Sequence, residues 1–137
     1  MDTRMFAEPR RSGANAAMFA LGAAVYPVVE LLWRGRTHWT MSLTGGLCTL
    51  LIHLGNRRMR HRGLTARCGM GCAVITLTEF SVGCVVNRLL GWNVWDYSNS
   101  PCNIMGQVCL LYSGFWFLLS LPVVAVSSGM MRRYEKK

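Results

Sequence analysis

Four apolar stretches, the first three separated by short arginine blocks, decide what this chain can fold into. They fall near residues 14–33, 39–56, 68–90 and 105–129, and each approaches the ~20 residues needed to cross ~30 Å of hydrocarbon at 1.5 Å per residue. With 52% hydrophobic and only 15% charged residues and a mean hydropathy of +0.27, the chain is too apolar for an ordinary water-soluble domain. The expected class is an all-α integral membrane protein, a bundle of four transmembrane helices spanning 14–129. A segment 1–13 precedes the bundle and a basic tail 130–137 follows it.

The second stretch, "WTMSLTGGLCTLLIHLGN", is the weakest, being short and holding two glycines, a histidine and several hydroxyls. Gly45, Gly46 and Cys48 suit close backbone approach, so this helix is expected inside the bundle. "AAMFALGAA" after Arg10 and Arg11 resembles a signal peptide, but the apolar run continues to Trp33. That is too long for a signal core, so the first span is expected to remain in the mature protein.

The net charge of +9 does not read as nucleic-acid binding, because the basic residues sit in blocks beside apolar runs. Of the 15 Lys and Arg residues, twelve collect on one side of an even number of spans. They are Arg4, Arg10, Arg11, Arg57, Arg58, Arg60, Arg62, Arg67, Arg132, Arg133, Lys136 and Lys137; Arg34, Arg36 and Arg88 fall on the other. This asymmetry places both termini in the cytoplasm and the lipid bilayer around the bundle.

On that topology the polar side chains gather at the outer end. Glu30 lies in the last turn or so of the first span. Glu79 is eleven residues into the third, roughly 17 Å from its start. An ionisable group facing lipid costs ~2.5–3.5 kcal/mol, so Glu79 is expected to face the interior, a cavity or a partner. Gly22, Tyr26 and Glu30 share one helical face, as do Glu79, Gly83 and Asn87. If the two faces meet, they line a pocket with a glycine floor. Pro27 implies a kink or a freed carbonyl just below Glu30.

The stretch "WNVWDYSNSPCNIMGQ" is expected to cap that pocket as an ordered lid, with Asp96, Tyr97 and Asn103 as the connector's polar groups and Gln107 at the start of the fourth span. Trp33, Trp39, Trp92, Trp95 and Tyr97 fit an interfacial aromatic belt, and Asn103 or Ser100 fits a cap on the fourth helix. The candidate binding set is therefore Glu30, Glu79, Asn87, Asp96, Tyr26, Tyr97, Asn103 and Gln107. The plainer alternative stays open: Glu79 bonded to Ser or Thr of adjacent helices, and Glu30 paired with Arg34 or Arg88, with no ligand.

Catalytic signatures are thin. The six cysteines lie mostly inside spans, no His/Cys set has metal-ligand spacing, and no phosphate-binding glycine loop, zinc-protease motif or nucleophile elbow occurs. His53 reads as a polar packing residue. No cofactor and no enzymatic activity are expected.

At "YPVVELLWRGRTHWTM", "TLTEFSVGCVVNRLLGWNVWDYSNSPCNIMGQVCL" and "FWFLLSLP" the chain resembles the ABC-transporter type IV permease family, also called CmpB-like. The likeness covers most of 26–122. The resemblance implies a four-helix protein of the bacterial cytoplasmic membrane with a transport role. It carries Glu30, Glu79, Gly83, Asn87, Trp95, Asp96, Tyr97, Ser98, Asn103, Gly106 and Gln107 as motif positions. An ABC role further implies a separate ATPase or other membrane subunit, and a homodimer would supply eight spans. Two functions remain open: a permease-like or channel-like transport subunit holding a cation, proton or polar solute under the "WDYS" lid, or a non-transporting adaptor that docks a protein partner.

Overall fold

A computed structural model of the chain describes residues 8–135, with side chains from 12 to 133. Arg4, Lys136, Lys137 and the side chains of Arg10 and Arg11, which enter the orientation argument, lie outside the described residues. The described chain is all-helical, with no strand: α1 (Glu8–Arg34), α2 (Trp39–Arg58), α3 (Leu64–Gly83), which continues as a π-helix over Cys84–Leu89, and α4 (Leu110–Glu135).

Three helical stretches are long and apolar enough to cross a membrane, Ser12–Arg34, Leu64–Leu89 and Leu110–Arg133, of 23, 26 and 24 residues. Their outer faces carry bare leucines, Leu32 84% and Leu89 81% exposed among them, which suit lipid and not water. The second helix falls short of that standard by composition. The reason is its place in the bundle. α2 and α4 each pack against the other three helices, whereas α1 and α3 are not neighbours, and α2 buries polar residues such as Thr44, His53 and Asn56.

A central helix can hold polar groups where its own preceding turn or its neighbours satisfy them. Thr44 and Thr49 bond the carbonyls of Thr40 and Gly45 at 2.8 Å each. The buried His53 ring meets the Ser127 hydroxyl at 2.7 Å, and the Asn56 amide donates to Ser127 and Ser128 of α4 at 3.0 and 3.2 Å. Arg67 reaches Asn56 Oδ1 at 3.2 Å.

Contact between α1 and α2 is made backbone to backbone. A Cβ on Gly22 would strike the Gly45 carbonyl and the Thr49 side chain, and one on Gly45 would strike Tyr26. Gly22 therefore faces α2, and the expected glycine floor shared with Gly83 does not form. α1 stops at Gly35, whose φ of +73° and N–H bond to the Leu31 carbonyl at 3.0 Å make a left-handed cap.

Pro27 lies inside α1 and leaves the Ala23 carbonyl without its helical donor. The Ser42 hydroxyl of α2 donates to that carbonyl at 2.6 Å. Ser42→Ala is expected to lower stability by about 1 kcal/mol, read from a denaturant melt in micelles. Serine-to-alanine at the exposed Ser12 is the comparison, and equal melts for the two variants would contradict the assignment.

The fourth helix begins at Leu110, later than the apolar pattern suggests. Met105 and Gly106 sit at φ +54° and +72°, a conformation that a right-handed helix excludes. Residues 105–109 thus belong to the connector.

Candidate functional site

The connector folds back onto the bundle where α1 and α3 end and α2 and α4 begin. Three sets of hydrogen bonds hold it. The first is built on the π-helix, whose wide turns carry Asn87. Its Oδ1 accepts from the backbone N–H of Val94 at 2.7 Å and of Trp95 at 3.4 Å, and its Nδ2 donates to Gln107 Oε1 at 2.8 Å. Gln107 Nε2 in turn donates to the Met105 carbonyl at 2.9 Å, and the Trp95 indole to the Gln107 carbonyl at 2.9 Å. Gly83 makes room for this seam. A Cβ there would lie 2.9 Å from the Trp95 ring.

A second set shapes the tip. The Asp96 carboxylate accepts from the Ser98 hydroxyl and from the Ser98 N–H at 2.8 Å, an Asx-type turn. Those two bonds hold its carboxyl below the ordinary aspartate range. Asn103 ties the same tip, donating to the Ser98 and Ser100 carbonyls at 3.2 and 2.9 Å and accepting from the Gly106 N–H at 3.0 Å. Asn103 is therefore a loop staple and not the cap of α4.

The third set is the one with chemistry. Glu79, 3% exposed, accepts from the Tyr97 hydroxyl at 3.1 Å and from the Trp116 indole at 2.9 Å. Arg34 donates to the same Tyr97 oxygen and lies 3.8 Å from Glu30, which also accepts from Thr37 at 3.4 Å. The four charged or phenolic groups form one line, Glu30–Arg34–Tyr97–Glu79, crossing from α1 to α3 through the connector. Its donors to Glu79 are an aromatic hydroxyl and an indole, where Ser or Thr was the plainer expectation.

Rings pack round this line. Tyr97 stacks on Tyr112 at 4.7 Å, and the Arg34 guanidinium stands 5.2 Å from the Tyr97 ring and 5.8 Å from that of Tyr112. Tyr26 packs 6.1 Å from Trp116. Burial, followed by the nearby Glu79 carboxylate, pushes the Tyr97 hydroxyl well above the usual tyrosine range, so it stays a donor at any physiological pH.

Of the expected residues, Glu30, Glu79, Tyr26 and Tyr97 come together at this line. Asn87 and Gln107 form the neighbouring seam. Asp96 and Asn103 shape the exposed tip and do not reach the line. The aromatic belt is also divided: Trp33, Trp39 and Trp92 are exposed, whereas Trp95 and Tyr97 are buried at 3% and 5% and belong to the core beside Met41, Val86 and Cys109.

Arg34 and Trp116 were not among the expected site residues. Arg34 enters the sequence reading only for orientation and as one of two alternative partners of Glu30; that pair forms, at 3.8 Å. Trp116 lies in an apolar run, and its signal is chemical: a buried indole N–H requires an acceptor. Among the described residues no group of His, Cys, Asp and Glu has the makings of a metal site, and all six cysteines are free.

Residues 45–137 match the family model described as "Putative ABC-transporter type IV". No curated protein and no solved structure matches the chain. The matched region takes in Glu79, Asn87, Asp96, Tyr97, Asn103, Gln107 and the basic tail. The match begins within α2, whereas the expected likeness ran over 26–122, so Glu30 and the whole of "YPVVELLWRGRTHWTM" lie before it.

Proposed function

The chain belongs to the ABC-transporter type IV family, and from that premise we propose that it is a non-enzymatic membrane transport subunit, permease-like or channel-like. In this reading all four helices cross the bacterial cytoplasmic membrane with both termini inside. Support comes from Arg57, Arg58, Arg60, Arg62 and Arg67 round the α2–α3 turn and Arg132 and Arg133 on α4, against Arg34, Arg36 and Arg88 at the connector end. A cation, proton or polar solute is held at the Glu30–Arg34–Tyr97–Glu79 line, and the connector is its outer lid. A separate ATPase or other membrane subunit supplies energy, and a homodimer completes the path.

One observation carries the reading: Tyr97, a connector residue, bonds Glu79 and Arg34 at once. Acids within spans are more often functional than structural, and here the acid is wired to the segment that covers it. Lid position and site charge are thereby coupled.

Native mass spectrometry of protein released gently from membranes tests this, comparing wild type with a folded Glu79→Gln variant. The expected result is a bound small molecule or ion on wild type that is lost in the variant. A stoichiometric protein partner kept by both forms, with no small adduct, would replace the transport reading with that of an adaptor.

A further inference from the structure

A crevice of about 490 Å³ opens between α1 and α4, beside the charged line. Its walls are apolar and ring-rich, with Trp33, Tyr112, Phe115 and Trp116 around it, and Glu30 and Arg34 form its polar end. The volume suits a drug-sized molecule. Several wall residues, Leu32, Trp33 and Leu118 among them, are also more than half exposed on the outer surface, so the crevice communicates sideways with whatever surrounds the bundle.

Resting on the transport reading above, we propose that this crevice binds a lipophilic organic cation that enters laterally between α1 and α4. Charge favours that sign. In the lining itself Glu30 and Arg34 offset one another, and the further acid nearby is Glu79, behind the Trp116 wall. The carboxyl end of α1, which closes at Arg34, adds the negative end of a helix dipole. Aromatic faces attract cations over their centres, and the protein already demonstrates this locally, since Arg34 sits over Tyr97 and Tyr112. An incoming organic cation finds a carboxylate, ring faces and an apolar wall in one place.

The test is equilibrium binding of tetraphenylphosphonium to the purified full chain in micelles, with tetraphenylborate as a competitor of the same shape and opposite charge. Saturable binding of the cation is expected, with no competition from the borate. Glu30→Gln should weaken it about tenfold, the loss of one close charge. Phe115→Leu, which keeps the apolar wall and the Glu30–Arg34 pair, should weaken it about two- to fivefold through the lost ring face. Should Glu30→Gln fail to fold by circular dichroism, Phe115→Leu decides alone. Absence of saturable binding, competition by the borate, or wild-type affinity in Phe115→Leu would overturn the proposal. If tetraphenylphosphonium does not bind while the Glu79-dependent adduct persists, only the substrate class fails; loss of both removes the transport reading as well.

Discussion

Gly22→Val is expected to pry α1 from α2 and cost about 3 kcal/mol, the upper end of the range for overpacking. The added Cβ meets the Gly45 carbonyl, a backbone atom with no rotamer to retreat into, as well as the Thr49 side chain. Without a water-driven force between helices, close backbone approach is what holds such a pair together, so the loss reaches the largest interface in the bundle. The measurement is the midpoint of a denaturant melt in micelles. Gly114→Ala serves as control, because nothing lies within 4 Å of a Cβ there, and its melt should hold or rise. Equal midpoints for the two variants would refute the close-packed seam.

Tyr97→Phe carries the second large effect. Only the hydroxyl goes, and the stack on Tyr112 at 4.7 Å is retained. Arg34 loses an acceptor and Glu79 one of its two donors. Leaving buried partners short costs about 1–3 kcal/mol. Hydrogen exchange read by mass spectrometry should show faster exchange in residues 91–109, with α2 and α4 unchanged. If the connector exchanges as in wild type, Tyr97 does not hold it against the bundle.

Much of the architecture was legible because a bilayer imposes one length and one polarity on what crosses it. α1, α3 and α4 follow from apolar run length, and the interior place of α2 follows from Gly45 and Gly46. The start of α4 was not legible, because Met105 and Gly106 interrupt the helix by backbone conformation while the apolar pattern runs on. Trp95 and Tyr97 look identical in sequence to belt residues such as Trp92; only the Asn87–Gln107 seam, which turns the connector inward, separates them. At the site, Glu30 and Glu79 could be identified from the expense of an acid in a span. Trp116 could not, since its apolar body matches the run around it and its N–H becomes decisive only when a buried acceptor stands opposite.

The central position of α2 also bears on how the protein is made. A helix with buried Thr, His and Asn along its length enters lipid poorly by itself, and each polar group raises the barrier to leaving the insertion machinery. α1 precedes it by a four-residue turn at 35–38 and supplies both the matching glycine and a carbonyl for Ser42. In the proposed four-span arrangement the two helices are expected to enter the membrane together as a hairpin. A chain severed at the turn would strand its second helix at the interface, and the order of synthesis becomes part of the fold.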